Sequence, residues 1–80
     1  MMTSLMSEPV PHFAVCINNQ DYPVALERHK IYQVVPDPSA EKDGDLRIID
    51  ESGEDYLYPA RYFVIIEVPK LLEKSLLQAS

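Results

Sequence analysis

The chain has 80 residues, 46% of them hydrophobic, and a formal net charge of -6 at pH 7. This length allows one small domain, and the excess of acidic over basic residues argues against nucleic acid and anionic membranes as partners. A single cysteine, Cys16, excludes an internal disulfide and a metal site built from several thiolates of one chain. We therefore expect a cytoplasmic protein.

Residues 1–11 mix Met, Ser, Thr and Pro without periodicity, and we expect them to form a flexible N-terminal lead. They contain neither a cationic start nor a long apolar run, so the sequence predicts no secretory signal. A stretch of about 18 apolar residues, as needed to span a bilayer, does not occur either.

Five short segments are rich in strand-forming residues and are bounded by turn-forming residues or proline. The predicted strands are 13–17, 30–35, 46–49, 56–58 and 63–68. In the first of them Phe13, Val15 and Ile17 share one face, because side chains alternate along a strand.

The connections between these strands differ in length and composition. Residues 22–30 are irregular and predict a long ordered loop anchored by Val24 and Leu26. The segment 36–45 is predicted as a second loop, because its prolines cannot donate to a strand ladder.

The second half of the chain carries clearer turn signals. The segment 50–55 predicts a hairpin in which Gly53 takes a left-handed conformation. Proline opens a single helical turn over 59–62, where its missing N–H is not needed. The tail 69–80 begins with proline and repeats leucine at helical spacing, so we expect a short amphipathic helix that has to dock to stay folded.

Five short strands, a long first loop and one helical turn before the last strand indicate a small, strongly bent barrel. The segment 53–63 (GEDYLYPARYF) resembles the end of a Src-homology-3 (SH3) domain, in which a turn glycine precedes a Pro-x-x-Tyr helical turn and an apolar last strand. The segment 26–35 (LERHKIYQVV) is similar to the exit from that family's long first loop. The resemblance implies an all-β, five-stranded SH3-like barrel over 12–68, followed by the helix over 69–80.

The segment 49–59 (IDESGEDYLYP) also looks like that of small bacterial SH3-like proteins, which have no assigned activity. SH3 domains that bind proline-rich peptides use an Ala-Leu-Tyr-Asp-Tyr motif and a tryptophan, and this chain has neither. Only Pro59 and Tyr62 carry over as groove residues, and Tyr58 or Tyr56 is expected to join them in an apolar groove for an extended peptide.

The aromatic residues also allow a purely structural interpretation. In that interpretation Tyr32, Leu57 and Phe63 complete a small core, while the other tyrosines lie half-exposed with wet hydroxyl groups. Alternation places Tyr56 and Tyr58 on one face of their strand and Leu57 on the other.

Nucleophilic catalysis would need Cys16 beside a base such as His12 or His29. His12 lies four residues away, which is roughly 13 Å along an extended strand. We therefore expect Cys16 to be a buried structural thiol, and we predict a protein without catalytic residues. The two histidines alone make a weak metal site.

The segment 41–55 contains seven acidic and two basic residues, a net charge of -5. Calcium would suit such a set of carboxylates, but the spacing departs from the twelve-residue calcium loop. The favoured interpretation is a solvated hairpin tip with no metal and no cofactor. A partner of this acidic edge should be basic, and its binding should weaken with salt.

The leucine-rich tail allows two interpretations. The helix can pack on its own barrel, covering apolar side chains that a small fold leaves open. Alternatively, Leu72 and Leu76 form an exposed stripe that joins a second copy or another protein. The sequence thus predicts a non-catalytic protein- or peptide-binding module, with a small structural or regulatory subunit that oligomerises through its tail as the alternative.

Overall fold

The structure, a computed structural model, describes residues 12–78 of the chain. The flexible lead predicted for 1–11 and the last two residues of the predicted tail helix lie outside this part. The described residues form five strands, two α-helices and one 3₁₀ turn. The strands are β1 (His12–Cys16), β2 (Ile31–Val35), β3 (Asp45–Ile49), β4 (Asp55–Pro59) and β5 (Phe63–Ile66). The helices are α1 (Pro38–Lys42), α2 (Lys70–Gln78) and the 3₁₀ turn Ala60–Tyr62.

All five strands belong to one antiparallel sheet with the order β4-β3-β2-β1-β5. Within residues 12–78, β4 and β5 each pair with a single neighbour, so the sheet is open at these two edges. The prediction of five strands and of a helical turn before the last strand is confirmed. The described strands do not confirm a closed barrel.

Alternation along the strands sends one set of side chains into the core. Its buried members are Ala14, Cys16, Leu26, Tyr32, Val34, Leu46, Ile48, Tyr58, Tyr62 and Phe63. Tyr32 and Phe63 are buried as predicted, and so is Leu26 in the long loop. The predictions for Val24 and Leu57 are wrong: Val24 is 89% exposed, and Leu57 is 45% exposed on the outer face of the sheet.

The segment 36–45, predicted as a loop, contains helix α1, so that prediction is wrong. Asp37 caps this helix, because its Oδ1 atom accepts a hydrogen bond of 3.1 Å from the backbone N–H of Ala40. Pro38 opens the first turn, where no N–H is required, and Ala40 is buried. Arg47 of β3 then donates to Asp37 at 2.8 Å and to Asp55 at 3.2 Å, which ties the helix to the sheet.

Helix α2 lies beside the outer face of the sheet. A cleft of about 410 Å³ separates its residues Leu76 and Leu77 from Ile31 and Ile49. Leu76 is half-buried, whereas Leu71 is 80% exposed. The helix thus turns Leu76 toward its own chain, while no described residue of the helix is fully buried.

Candidate functional site

Three tyrosines from different parts of the chain meet at one end of the core. The ring of Tyr22, in the long loop, stands edge-on to Tyr58 of β4 with centroids 4.8 Å apart. Tyr22 also contacts Tyr62 of the 3₁₀ turn, with centroids 6.1 Å apart and ring planes at 63°. Edge-to-face contacts of this kind add to the stabilisation from burial. We call Tyr22, Tyr58 and Tyr62 the tyrosine cluster.

A hydrogen bond from its hydroxyl group holds Tyr58 in place. Its O–H donates a hydrogen bond of 2.6 Å to Oδ2 of Asp50, at the start of the hairpin tip. Burial and the neighbouring carboxylate raise the pKa of Tyr58, so the phenol is protonated and donates at neutral pH.

Asp50 is itself buried, with 7% of its surface exposed. Its Oδ1 atom accepts hydrogen bonds of 2.8 Å from the Ser52 N–H and 2.6 Å from the Ser52 hydroxyl. Burial alone would raise the pKa of Asp50, but the hydrogen bonds from Ser52 and Tyr58 outweigh it and the pKa is lowered. The buried charge is therefore compensated by three donors.

Tyr62 is held in the same manner by a different loop. Its hydroxyl group donates to Oδ2 of Asp21, and this hydrogen bond raises the pKa of Tyr62. The contact joins the 3₁₀ turn to the long loop, because the two residues are 41 positions apart. Asp21 as a whole residue is exposed.

The predicted peptide-binding residues Tyr58, Pro59 and Tyr62 lie together, but they differ in accessibility. Tyr58 is 4% exposed and Tyr62 is 3% exposed, whereas Pro59 is half-buried. Tyr22, with 38% of its surface exposed, presents the accessible aromatic ring of the cluster. Of these four residues, Tyr22 is the most accessible to a partner.

Sequence reasoning missed Tyr22 and Asp21. The only local signal is a tyrosine directly before Pro23 in a polar loop, where the proline restricts the backbone of the preceding residue to extended conformations. Their pairing with residues about 40 positions away depends on how the long loop folds back. No periodicity within the loop carries that information.

Tyr56, the alternative to Tyr58 in the predicted groove, does not take part in the cluster contacts. It is 50% exposed, and its hydroxyl group donates to Glu54 at 3.0 Å.

The acidic hairpin tip is attached to the long loop by a second set of contacts. The N–H of Glu51 donates to the carbonyl of Ala25 at 3.0 Å, and its carboxylate accepts from Lys30 at 2.7 Å and from the hydroxyl group of Tyr32. Tyr32 in turn accepts a hydrogen bond of 2.7 Å from the N–H of Glu27. We call these bonds the tip–loop contact.

The tip is thus exposed to solvent over residues 51–55, as predicted, and is also attached to the long loop. The hydrogen bond and charge of Lys30, together with the Tyr32 hydroxyl, lower the pKa of Glu51. Gly53 has a φ of +86° and takes the left-handed conformation that the sequence predicts. No group of three or more His, Cys, Asp or Glu side chains suited to a metal ion occurs within the described residues.

Cys16 is fully buried in the core. Burial raises the pKa of its thiol, and the Sγ atom lies 3.4 Å from the carbonyl oxygen of Asn18, to which it can donate. A protonated thiol without access to solvent is a poor nucleophile. His29 reaches this region through its backbone, whose N–H donates to the Cys16 carbonyl at 2.6 Å, while the residue as a whole is exposed.

Neither α-helix in the described part of the chain has the length and apolar character required to cross a bilayer. Comparisons with protein families, with curated protein sequences and with solved structures found no match for this chain.

Proposed function

We propose that the protein is a non-catalytic protein- or peptide-binding module built on an SH3-like barrel. The strand order, the long loop between β1 and β2, and the 3₁₀ turn between β4 and β5 support this fold. Pro59 directly precedes that turn and Tyr62 is its last residue, as the resemblance implies. The contact surface that we propose is Pro59 together with the tyrosine cluster.

The exposed ring of Tyr22, packed against Tyr58 and Tyr62, carries this proposal. An accessible aromatic ring over two buried ones offers a rigid apolar surface for an extended peptide. Asp21 next to it supplies a carboxylate, which favours a basic residue in the partner. The excess of acidic residues over 41–55 also favours a basic partner and accelerates its approach.

A titration of the ¹⁵N-labelled protein tests the proposal. The probe is a synthetic ten-residue peptide containing prolines and arginines, and the control peptide carries glutamates in place of the arginines. We expect amide shifts at Tyr22, Ala60 and Tyr62 with the basic peptide only, and weaker binding as salt is raised. An unchanged spectrum at millimolar peptide, or shifts confined to α2, would contradict the proposal.

Matched variants in the long loop locate the contact. Tyr22→Ser removes the exposed ring, whereas Val24→Ser changes an apolar residue that is 89% exposed in the same loop. We expect Tyr22→Ser to abolish the shifts and Val24→Ser to retain them. Equal losses in both variants would contradict a specific role of Tyr22.

The alternative proposal is a small structural or regulatory subunit that oligomerises through α2. Leu72 is 42% exposed, and no residue in the described part of the helix is fully buried. Leu76 favours docking within one chain instead, because it lines the cleft beside its own sheet. Leu72→Lys should dissociate an oligomer held by this helix, and Leu71→Lys, on another side of the helix, should not.

A further inference from the structure

The two edges of the sheet are protected very differently. Unpaired strand edges invite pairing with another strand, and proteins guard them with charges or proline. Edge strand β4 begins with Asp55 and ends with Pro59. Edge strand β5 has the sequence Phe-Val-Ile-Ile, with neither a charge nor a proline.

The side chains of β5 are also open to solvent. Val64 is 48% exposed and Ile65 is 51% exposed, although successive side chains point to opposite faces of the sheet. Both faces of the strand are therefore accessible near its centre. Within residues 12–78, β5 pairs with β1 along one edge, and no strand pairs with the other edge of β5.

The charges that flank β5 are arranged for pairing with itself. Arg61 precedes Val64 by three residues and Glu67 follows it by three. Both are exposed, and neither joins an ion pair among the described residues. Arg61 belongs to the 3₁₀ turn just before β5, and Glu67 directly follows the strand. In an antiparallel pairing about a two-fold axis at Val64, the Arg61 end of each copy lies beside the Glu67 end of the other, so opposite charges meet at both ends.

We propose that β5 is a homodimerisation edge, at which a second copy of this chain adds its own β5 in antiparallel orientation. The pairing joins two five-stranded sheets into one, with backbone hydrogen bonds supplying affinity. Val64 of one copy packs against Val64 of the other, and the Arg61–Glu67 pairs at the two ends set the register. This interface adjoins the tyrosine cluster through Arg61, whose guanidinium group lies 5.3 Å from the centroid of the Tyr62 ring, and it does not use the leucines of α2.

Sedimentation velocity on the full chain, from about 10 µM to about 1 mM, measures the monomer–dimer equilibrium. We expect a dimer whose share grows with concentration and is retained at high salt, since its centre is apolar. Val64→Lys places like charges opposite each other and should weaken dimerisation at least tenfold. Leu57→Lys, the matched change at a 45% exposed apolar position of β4, should leave it unchanged.

Charge exchange tests the register without altering the apolar centre. Arg61→Glu alone and Glu67→Arg alone each turn both end pairs repulsive, and each should weaken dimerisation by roughly tenfold. Mixing the two variants restores opposite charges at both ends, so a heterodimer should form at the wild-type concentration. No recovery on mixing would overturn the proposed register.

Three further results would overturn the proposal as a whole. They are a monomer at every concentration, equal weakening by Val64→Lys and Leu57→Lys, or dissociation by Leu72→Lys but not by Val64→Lys. If Val64→Lys fails to fold, hydrogen exchange of the wild-type protein tests whether β5 pairs with a second copy. Protection of the β5 amides should then rise with concentration, and protection independent of concentration would mean that this edge is covered within one chain.

Discussion

The hydrogen bond between Tyr58 and Asp50 should contribute strongly to folding stability, and Tyr58→Phe tests this. The substitution removes one oxygen atom and leaves the ring in its place beside Tyr22. The Asp50 carboxylate then loses one of the three donors that bind it, while it remains buried and charged.

The size of the loss follows from the kind of bond. A hydrogen bond to a charged group contributes about 1.5–3 kcal/mol. Since Asp50 keeps both bonds from Ser52, we expect the lower part of this range, about 1.5–2 kcal/mol. For a domain of this size each kcal/mol lowers the melting temperature by about 4–8 °C, so the expected decrease is about 6–16 °C.

Thermal and urea unfolding monitored by circular dichroism measure this loss at pH 7. Tyr56→Phe is the matched control, because Tyr56 lies two positions away on β4 and its hydroxyl group donates to the exposed Glu54. We expect a clearly smaller decrease for the control, since water can replace an exposed partner. A Tyr58→Phe variant as stable as Tyr56→Phe would refute the reasoning that the buried pair stabilises the fold.

Three further predictions concern the hairpin tip and helix α2. First, because the pKa of Asp50 is lowered in the folded protein, its stabilisation is fully present above the ordinary value of about 3.9 and is lost as the pH falls through the folded pKa. Urea unfolding between about pH 2 and 7 should therefore show a steeper acid loss of stability for the wild type than for Asp50→Asn, and parallel curves would contradict this. Second, Gly53→Ala should lower the free energy of unfolding by about 1 kcal/mol through backbone strain alone, since a Cβ atom there meets nothing within 4 Å. Gly53→Asn should lower it less, because Asn tolerates the left-handed conformation better. Equal losses for the two variants in chemical unfolding would point to another cause. Third, Leu76→Ala should cost about 1 kcal/mol because Leu76 is half-buried, whereas Leu71→Ala should leave the unfolding midpoint unchanged; no difference between them would argue against docking of α2.

The strands could be predicted because their signals are local. Runs of β-branched and aromatic residues between turn residues located all five of them, and Gly53 and Pro59 marked the hairpin and the 3₁₀ turn. The predicted ends of the strands differ from the observed ends by at most two residues. The first strand, for example, begins at His12 and ends at Cys16.

Helix α1 is not predicted because Pro36 and Pro38, on either side of its N-cap, are read from the sequence only as residues that end a strand. The same residues form a helix start, with Asp37 as the cap and Pro38 in the first turn. The choice between loop and helix depends on the burial of Ala40, which is a tertiary contact.

The inward-facing side of a strand also could not be read from residue type. Val15 and Ile17 look like core residues, yet Ala14 and Cys16 occupy the core. In β4, Leu57 is more apolar than Tyr58, but it is Tyr58 that is buried, because Asp50 satisfies its hydroxyl group. The candidate site depends on such pairings between distant residues, and these are set by the fold.

The tip–loop contact has a consequence for protein engineering. Hairpin tips are the usual places to insert a peptide tag or a sensor domain, because few contacts are expected there. In this chain an insertion beside Ser52 or Gly53 would separate Asp50 from its donors and pull Glu51 away from Ala25 and Tyr32. The long loop would then lose its attachment as well, so the tip is a poor insertion point although its sequence suggests a good one.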